Sequence, residues 1–219
     1  MSMTSNTPLP GLFIVLEGID GAGTTTQTRV LSSWFKSLGR VVFVTREPSD
    51  GPIGNVLRQM MRGRVCSRSL AGEALPTGPT TMALLFAADR IDHIENEITP
   101  HLEAGHVVIC DRYVLSSLAY QSVDVDLAFV SQINSKALQP DITIFLDIDA
   151  DIAMKRVAER TGSRDSFETL PFQKKVAANY RQLIDSYPVG QVARIDGTLP
   201  LEEVSAESKR AIEAYLQAR

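Results

Sequence analysis

The chain has 219 residues, 44% of them apolar and 22% charged, and a net charge of −4. That length suits one α/β domain with a well-filled core, and the slightly acidic balance speaks against a polyanion-binding surface over the molecule as a whole. No run of 18 or more apolar residues occurs, so no membrane span is expected.

The opening stretch, MSMTSNTPLPG, lacks the basic segment and apolar run of a secretory signal. Residues 1–10 read as a disordered lead-in and 11–219 as a single domain. Four apolar, β-branched runs follow: LFIVLE (12–17), VVFVT (41–45), HVVIC (106–110) and ITIFLDI (142–148), with a weaker fifth, QVARI (191–195). Near-continuous hydrophobicity predicts strands buried on both faces, as in a parallel sheet. Helix-period segments lie between them at about 24–38, 53–63, 78–99, 124–137, 149–160, 169–186 and 201–217. The alternation predicts a doubly wound, five-stranded parallel sheet flanked by helices. Ligands of such sheets bind beyond the carboxyl ends of the strands, which directs attention to 18–25, 46–51, 111–121 and 147–168. Cys66 and Cys110 have no CxxC spacing and read as reduced thiols of a cytosolic protein. His93, His101 and His106 have no metal-ligand spacing and read as surface or helix-end residues.

The first of those stretches, GIDGAGTTTQ (18–27), sits between a strand and a helix, the context a phosphate-binding loop requires. Gly18, Gly21 and Gly23 give the backbone freedom for a nest of N–H groups. Together with Ala22, Thr24, Thr25 and Thr26 at the start of the helix, they form the candidate ATP site, a loop of the P-loop NTPase type. Thr25 occupies the hydroxyl position that serves Mg²⁺. Thr24 occupies the position of the usual lysine, and threonine supplies a donor without charge. Losing such a contact costs a few kcal/mol of transition-state stabilisation, about the scale of an oxyanion-hole donor.

DRYVLSSLAYQ (111–121) follows the third strand and resembles the signature of thymidylate kinases. FIVLEGIDGAG, VTREPSDGPIG (44–54), LLFAADRIDHIENEI (84–98), PDITIFLDID (140–149) and RDSFE (164–168) resemble further segments of that family, in the family's order, over about residues 11–200. The resemblance implies transfer of the γ-phosphoryl of ATP to deoxythymidine monophosphate (dTMP) with Mg²⁺ as cofactor, in a homodimer. The cysteines point to the cytoplasm, and with no basic stripe interleaved with aromatics and no apolar span, neither nucleic acid nor membrane is an expected partner. The resemblance also implies that Arg46 binds the acceptor phosphate, that Arg112 reaches the acceptor phosphate or the transferring phosphoryl, that Phe86 stacks on thymine and that Arg90 reaches a base carbonyl. Ser117, Tyr120 and Gln121 become base-side and sugar-side contacts. Asp20 lies near the sugar 3′-OH and the acceptor phosphate, and Asp111 stands behind the metal with Thr25. The segment IDGTLPLEEV (195–204) resembles the wall of the adenine site. A lid is expected over about 156–168, carrying Arg156, Arg160 and Arg164; Arg160 and Arg164 are the catalytic candidates beside Asp20 and Arg112.

Two departures stand out. Thr24 replaces the lysine, and Ser166 replaces the arginine of the family's Asp-Arg-x-Glu lid. Each site residue also has a plainer reading: Arg46 paired with Glu47, Phe86 as core, Arg90 and the lid arginines as solvated charges, Asp20 as a turn former. Three functions therefore stay open on sequence grounds: an active kinase compensated by Arg164, Arg160 or Arg29; a nucleotide-binding protein with impaired catalysis; and a kinase of another nucleoside monophosphate or donor.

Overall fold

A computed structural model describes residues 10–161, 169–186 and 190–218. The elements run β1 (Leu12–Glu17), α1 (Thr24–Ser37), β2 (Val42–Arg46), α2 (Pro52–Met61), β3 (Ser67–Arg68), β4 (Ala74–Leu75) and α3 (Pro79–His93). A π-helical turn (Ile94–Ile98) and α4 (Thr99–Glu103) lead to β5 (Val107–Asp111), α5 (Val114–Gln121) and α6 (Leu127–Ile133). Then come β6 (Ile142–Asp147), α7 (Ala150–Thr161), α8 (Leu170–Ser186), β7 (Val192–Asp196) and α9 (Leu201–Ala218).

All five expected strands form, in the order β2-β5-β1-β6-β7, and every pairing is parallel. The central strand shows why its sequence is apolar throughout. Leu12, Ile14 and Leu16 join a large cluster with side chains of α1, α5, α8 and α9. Phe13 and Val15, pointing the other way, join a second cluster with Val108, Cys110, Ile94 and Ile98. The chain leaves β1 for β2 on one side and later places β6 on the other, so the crevice over β1 is the topological switch point.

Three local features differ from the sequence expectation. The helix expected over 78–99 contains the π-helical turn and continues to Glu103. Asn96 Nδ2 donates to the Asp92 carbonyl at 3.0 Å, competing for an acceptor of the regular ladder, and Pro100 brings no N–H. The helix expected over 124–137 is only Leu127–Ile133, capped where the Asp126 carboxylate accepts from Phe129 N at 3.0 Å. Residues 67–75 form a small antiparallel hairpin, with Gly72 at φ 84° in its turn.

Candidate active site

The loop after β1 is held by contacts that explain its glycines separately. Gly21 has φ 85°, and a Cβ there would lie 2.9 Å from the Ala153 carbonyl carbon; close packing on α7 requires glycine. Gly23, at φ 102°, caps α1 and has open space where its Cβ would be. The space belongs to a cavity of about 650 Å³ lined by Asp20 through Gln27, Arg112, Arg156, Val157, Arg160 and the stretch from Gly197 to Leu201. Loop and helix N-terminus thus meet the 195–204 segment across one chamber, the geometry of a nucleotide phosphate site with a base-side wall. Thr24 lines the chamber and is itself buried, without charge.

Thr25 Oγ1 donates to Asp111 Oδ2 at 2.6 Å. Asp111 ends β5, in register with Leu16 of β1 and Arg46 of β2. Its other oxygen, Oδ1, is buried and has no hydrogen-bond partner among the described residues. A buried carboxylate oxygen left open beside a threonine hydroxyl fits a water of a hydrated Mg²⁺.

Arg112 follows with φ 71°, a left-handed conformation uncommon outside glycine. Its guanidinium donates to the Gly18 carbonyl at 2.8 Å and pairs with Asp20 Oδ1 at 2.5 Å, and it lies 5.1 Å from the centre of the Tyr120 ring. Burial works against its charge, but Tyr120, Asp20, Tyr180 and Asp111 outweigh that and push its pKa well above the ordinary arginine value. Asp20 is therefore an ion-pair partner of Arg112 rather than a plain turn former.

On the β2 side, Arg46 is exposed and pairs with Asp50 at 3.0 Å, not with Glu47. Glu47 turns inward: it takes Arg90 at 2.6 Å and His93 Nδ1 at 3.3 Å. Arg90, 1% exposed, is no solvated charge. It also donates to Asn134 Oδ1, to the Tyr113 carbonyl at 3.1 Å and to Ser117 Oγ at 2.9 Å. His93 ends α3, as the helix-end reading has it, but is buried, with Nε2 2.7 Å from Thr45 Oγ1. Phe86 is half-buried and belongs to neither of the two apolar clusters. Ser117 Oγ also accepts from Gln121 Nε2 at 3.3 Å, and Gln121 Oε1 is buried without a hydrogen-bond partner among the described residues. Tyr120 stands between Arg112, Phe172 and Tyr180.

The arginines of the expected lid divide. Arg156 donates to the Gly197 carbonyl at 2.8 Å and to the Thr198 carbonyl at 3.4 Å, so it holds the base-side wall. Arg160 lines the cavity, is exposed, and has no ion-pair partner among the described residues. Arg164, like Asp165, Ser166, Phe167 and Glu168, lies outside the described residues. Arg29 is not a wall of the cavity; it borders a separate shallow groove with Trp34 and Lys209.

Sequence reasoning passed over Glu17 and Tyr180, and read Glu47 only as a surface partner of Arg46. All three are buried and polar or aromatic, and only their contacts with chain segments far away reveal them. An acidic residue closing an apolar strand was the one available signal.

A family model described as thymidylate kinase matches residues 16–208. The "Probable thymidylate kinase" of Pyrobaculum aerophilum is 41% identical over 208 residues, covering 94% of this chain and 98% of that protein. The "Thymidylate kinase" of Nostoc punctiforme is 35% identical over 214 residues, covering 94% and 98%. That of Thermococcus kodakarensis, also named probable, is 40% identical over 183 residues, covering 81% and 86%. A glycine loop facing an aspartate-arginine strand end, on a sheet of this order and matched over most of its length, places the chain in the thymidylate kinase family.

Proposed function

We propose that this nucleoside monophosphate kinase transfers the γ-phosphoryl of ATP directly to dTMP, giving ADP and dTDP, and that Arg160 brings the positive charge that Thr24 cannot. The single observation that carries the second half is the position of Arg160 in the wall of the same cavity as Thr24, without an ion-pair partner among the described residues. Arg164 would share the role from outside the described residues.

Phosphoryl transfer needs positioning and charge neutralisation more than covalent help. The loop from Gly18 to Thr26 cradles the donor phosphates, and the Gly197–Leu201 wall takes the base. Thr25 and Asp111 would hold Mg²⁺, Asp111 through its open Oδ1. When bound, the metal supplies charge neutralisation across the donor phosphates. Arg112 and Arg46 grip the acceptor phosphate with their forked donors. Asp20, paired with Arg112, would also accept from the sugar hydroxyl. Phe86 stacks on the base; Ser117, Gln121 and Tyr120 line its edge and the sugar. Arg90, its donors engaged with Glu47, Asn134, Tyr113 and Ser117, serves that edge by fixing Ser117.

α2 and α3 leave Val56, Met61 and Leu84 exposed, which supports a homodimer through that side. No helix among the described residues is long and apolar enough to cross a membrane. Two free thiols, one of them the buried Cys110, support a reducing, cytoplasmic setting.

The test is dTDP formation from ATP, Mg²⁺ and dTMP by the native protein, Arg160→Ala, Thr24→Lys and the double variant. The native protein should turn over at about 1–100 s⁻¹. Arg160→Ala should lower kcat by about 10²–10³-fold, and Thr24→Lys should restore part of that loss. Turnover by Thr24→Lys alone, with none by the native chain, would refute the proposal, and so would an unchanged kcat in Arg160→Ala.

A further inference from the structure

Glu17 ends β1 and its side chain is completely buried. Four hydrogen bonds converge on the carboxylate. Oε1 accepts from the backbone N–H of Tyr113 at 2.9 Å and of Ser116 at 3.1 Å. Oε2 accepts from Ser116 Oγ at 2.5 Å and from Tyr180 OH at 2.8 Å. The two hydroxyls are 2.8 Å from each other, and Ser116 Oγ is 3.5 Å from a terminal nitrogen of Arg112. Three distant parts of the chain, β1, the start of α5 and the middle of α8, thus meet at one carboxylate beneath the Asp111–Arg112 turn.

A helix cap alone does not account for this arrangement. A serine or aspartate at the N-cap, position 113, would satisfy the Ser116 N–H without any buried carboxylate. A buried carboxylate is costly, and it persists only when donors engage both of its oxygens. Here half of the carboxylate faces hydroxyls that lead to the guanidinium of Arg112. That arginine keeps a φ of 71°, which the surroundings must impose. Glu17 binds the N–H groups of Tyr113, which directly follows Arg112, and of Ser116, four residues after Arg112.

We propose that Glu17 is a positioning residue for phosphoryl transfer: through Ser116 and the Tyr113 turn its carboxylate sets the guanidinium of Arg112 for the acceptor phosphate, and through Tyr180 it ties that arginine to α8. The inference rests on the reading of Arg112 as a ligand of the dTMP phosphate. It goes beyond that reading in giving Arg112 a buried carboxylate partner. Burial pushes the Glu17 carboxyl up from the ordinary range, while Ser116, Tyr180 and Arg112 pull it back. Tyr180 is likewise pushed up, by burial and by Glu17, and so remains a hydroxyl donor.

Steady-state kinetics with ATP and dTMP varied in turn distinguish positioning from mere folding. Glu17→Gln keeps the shape and removes the charge; Tyr180→Phe removes one hydroxyl and keeps the ring. Both should raise KM for dTMP, Glu17→Gln by about tenfold and Tyr180→Phe by about threefold, while KM for ATP moves less than about twofold. In an Arg112→Lys background Glu17→Gln should add less than about twofold, because the two residues act as one unit. If Glu17→Gln fails to fold, Tyr180→Phe and Ser116→Ala carry the same measurement. Variants that lose only melting temperature or active yield, with both KM values native, would overturn the proposal. So would full additivity with Arg112→Lys. A native KM for dTMP in Arg112→Lys itself would instead remove the reading of Arg112, and the proposal with it.

Discussion

Arg156 tests how the base-side wall is built. Its guanidinium makes one good bond, to the Gly197 carbonyl at 2.8 Å, and one at the outer limit, to the Thr198 carbonyl at 3.4 Å. The wall has other supports. Gly197 N donates to the Asp147 carbonyl at 2.7 Å, and the Asp196 carboxylate accepts from Thr198 N at 2.8 Å and Thr198 Oγ1 at 2.6 Å. Removing the arginine should therefore loosen the wall without unfolding it. A hydrogen bond to a charged group is worth about 1.5–3 kcal/mol, and the longer contact adds little. If all of that is lost from ATP binding, KM for ATP rises by about 10–100-fold in Arg156→Ala. The assay is initial rates with ATP varied at saturating dTMP, then the reverse. KM for dTMP should stay native, kcat should change little, and preference for ATP over GTP should narrow. A kcat reduced about 100-fold with native KM for ATP would refute the reasoning, because it would put the guanidinium on the transferring phosphoryl group.

The two loop glycines should fail differently. Gly21→Ala meets the Ala153 carbonyl at a left-handed φ and should destabilise the fold by roughly 2–4 kcal/mol in denaturant unfolding. Gly23→Ala meets no neighbouring atom but is still strained at φ 102°, so it should lose less stability than Gly21→Ala while also weakening ATP binding, read by titration calorimetry; a stability loss equal to that of Gly21→Ala would contradict the cavity geometry. Asp111→Asn keeps an acceptor for Thr25 Oγ1 but loses the charge, so half-maximal activity should need about 10–100-fold more Mg²⁺. An unchanged Mg²⁺ requirement would exclude Asp111 from the metal site. Glu17 gives a pH signature. Its folded pKa lies above its unfolded one, so stability is fullest below the ordinary carboxylate pKa, declines as pH rises to the raised value, and then levels off. Urea midpoints over about pH 4–8 should show that slope in the native protein and not in Glu17→Gln; the same slope in both would assign it to another group.

The sheet was legible because parallel strands buried on both faces leave unbroken apolar runs; even QVARI, the weakest, forms its strand as β7. The glycine loop was legible because its spacing carries the backbone requirement. What the sequence left open was decided by contacts between distant residues. The Arg46–Glu47 pair that the sequence suggested does not form because Glu47 turns inward to Arg90, across 43 positions, and Arg46 pairs with Asp50 instead. Arg29 sits four residues after Thr25, yet α1 carries it to a groove beside Lys209. The lid arginines look alike in sequence, and the carbonyls of Gly197 and Thr198 separate Arg156 from Arg160. The 67–75 hairpin pairs only two residues per strand, too few for a period to register.

The donor chamber is assembled from both halves of the chain. Residues 20–27 form one wall and 197–204 another, and Ser205 Oγ donates to Gln27 Oε1 at 3.1 Å across 178 positions. During synthesis the glycine loop leaves the ribosome long before its opposite wall. A nascent chain that has built β1, β2 and β5 still lacks the surface proposed for the adenine base. Donor affinity is thus a late acquisition in the life of each molecule. If ATP fills this chamber it bridges early and late segments, and its binding should slow amide exchange in α9 as well as around Thr24, linking the last helix thermodynamically to the first loop.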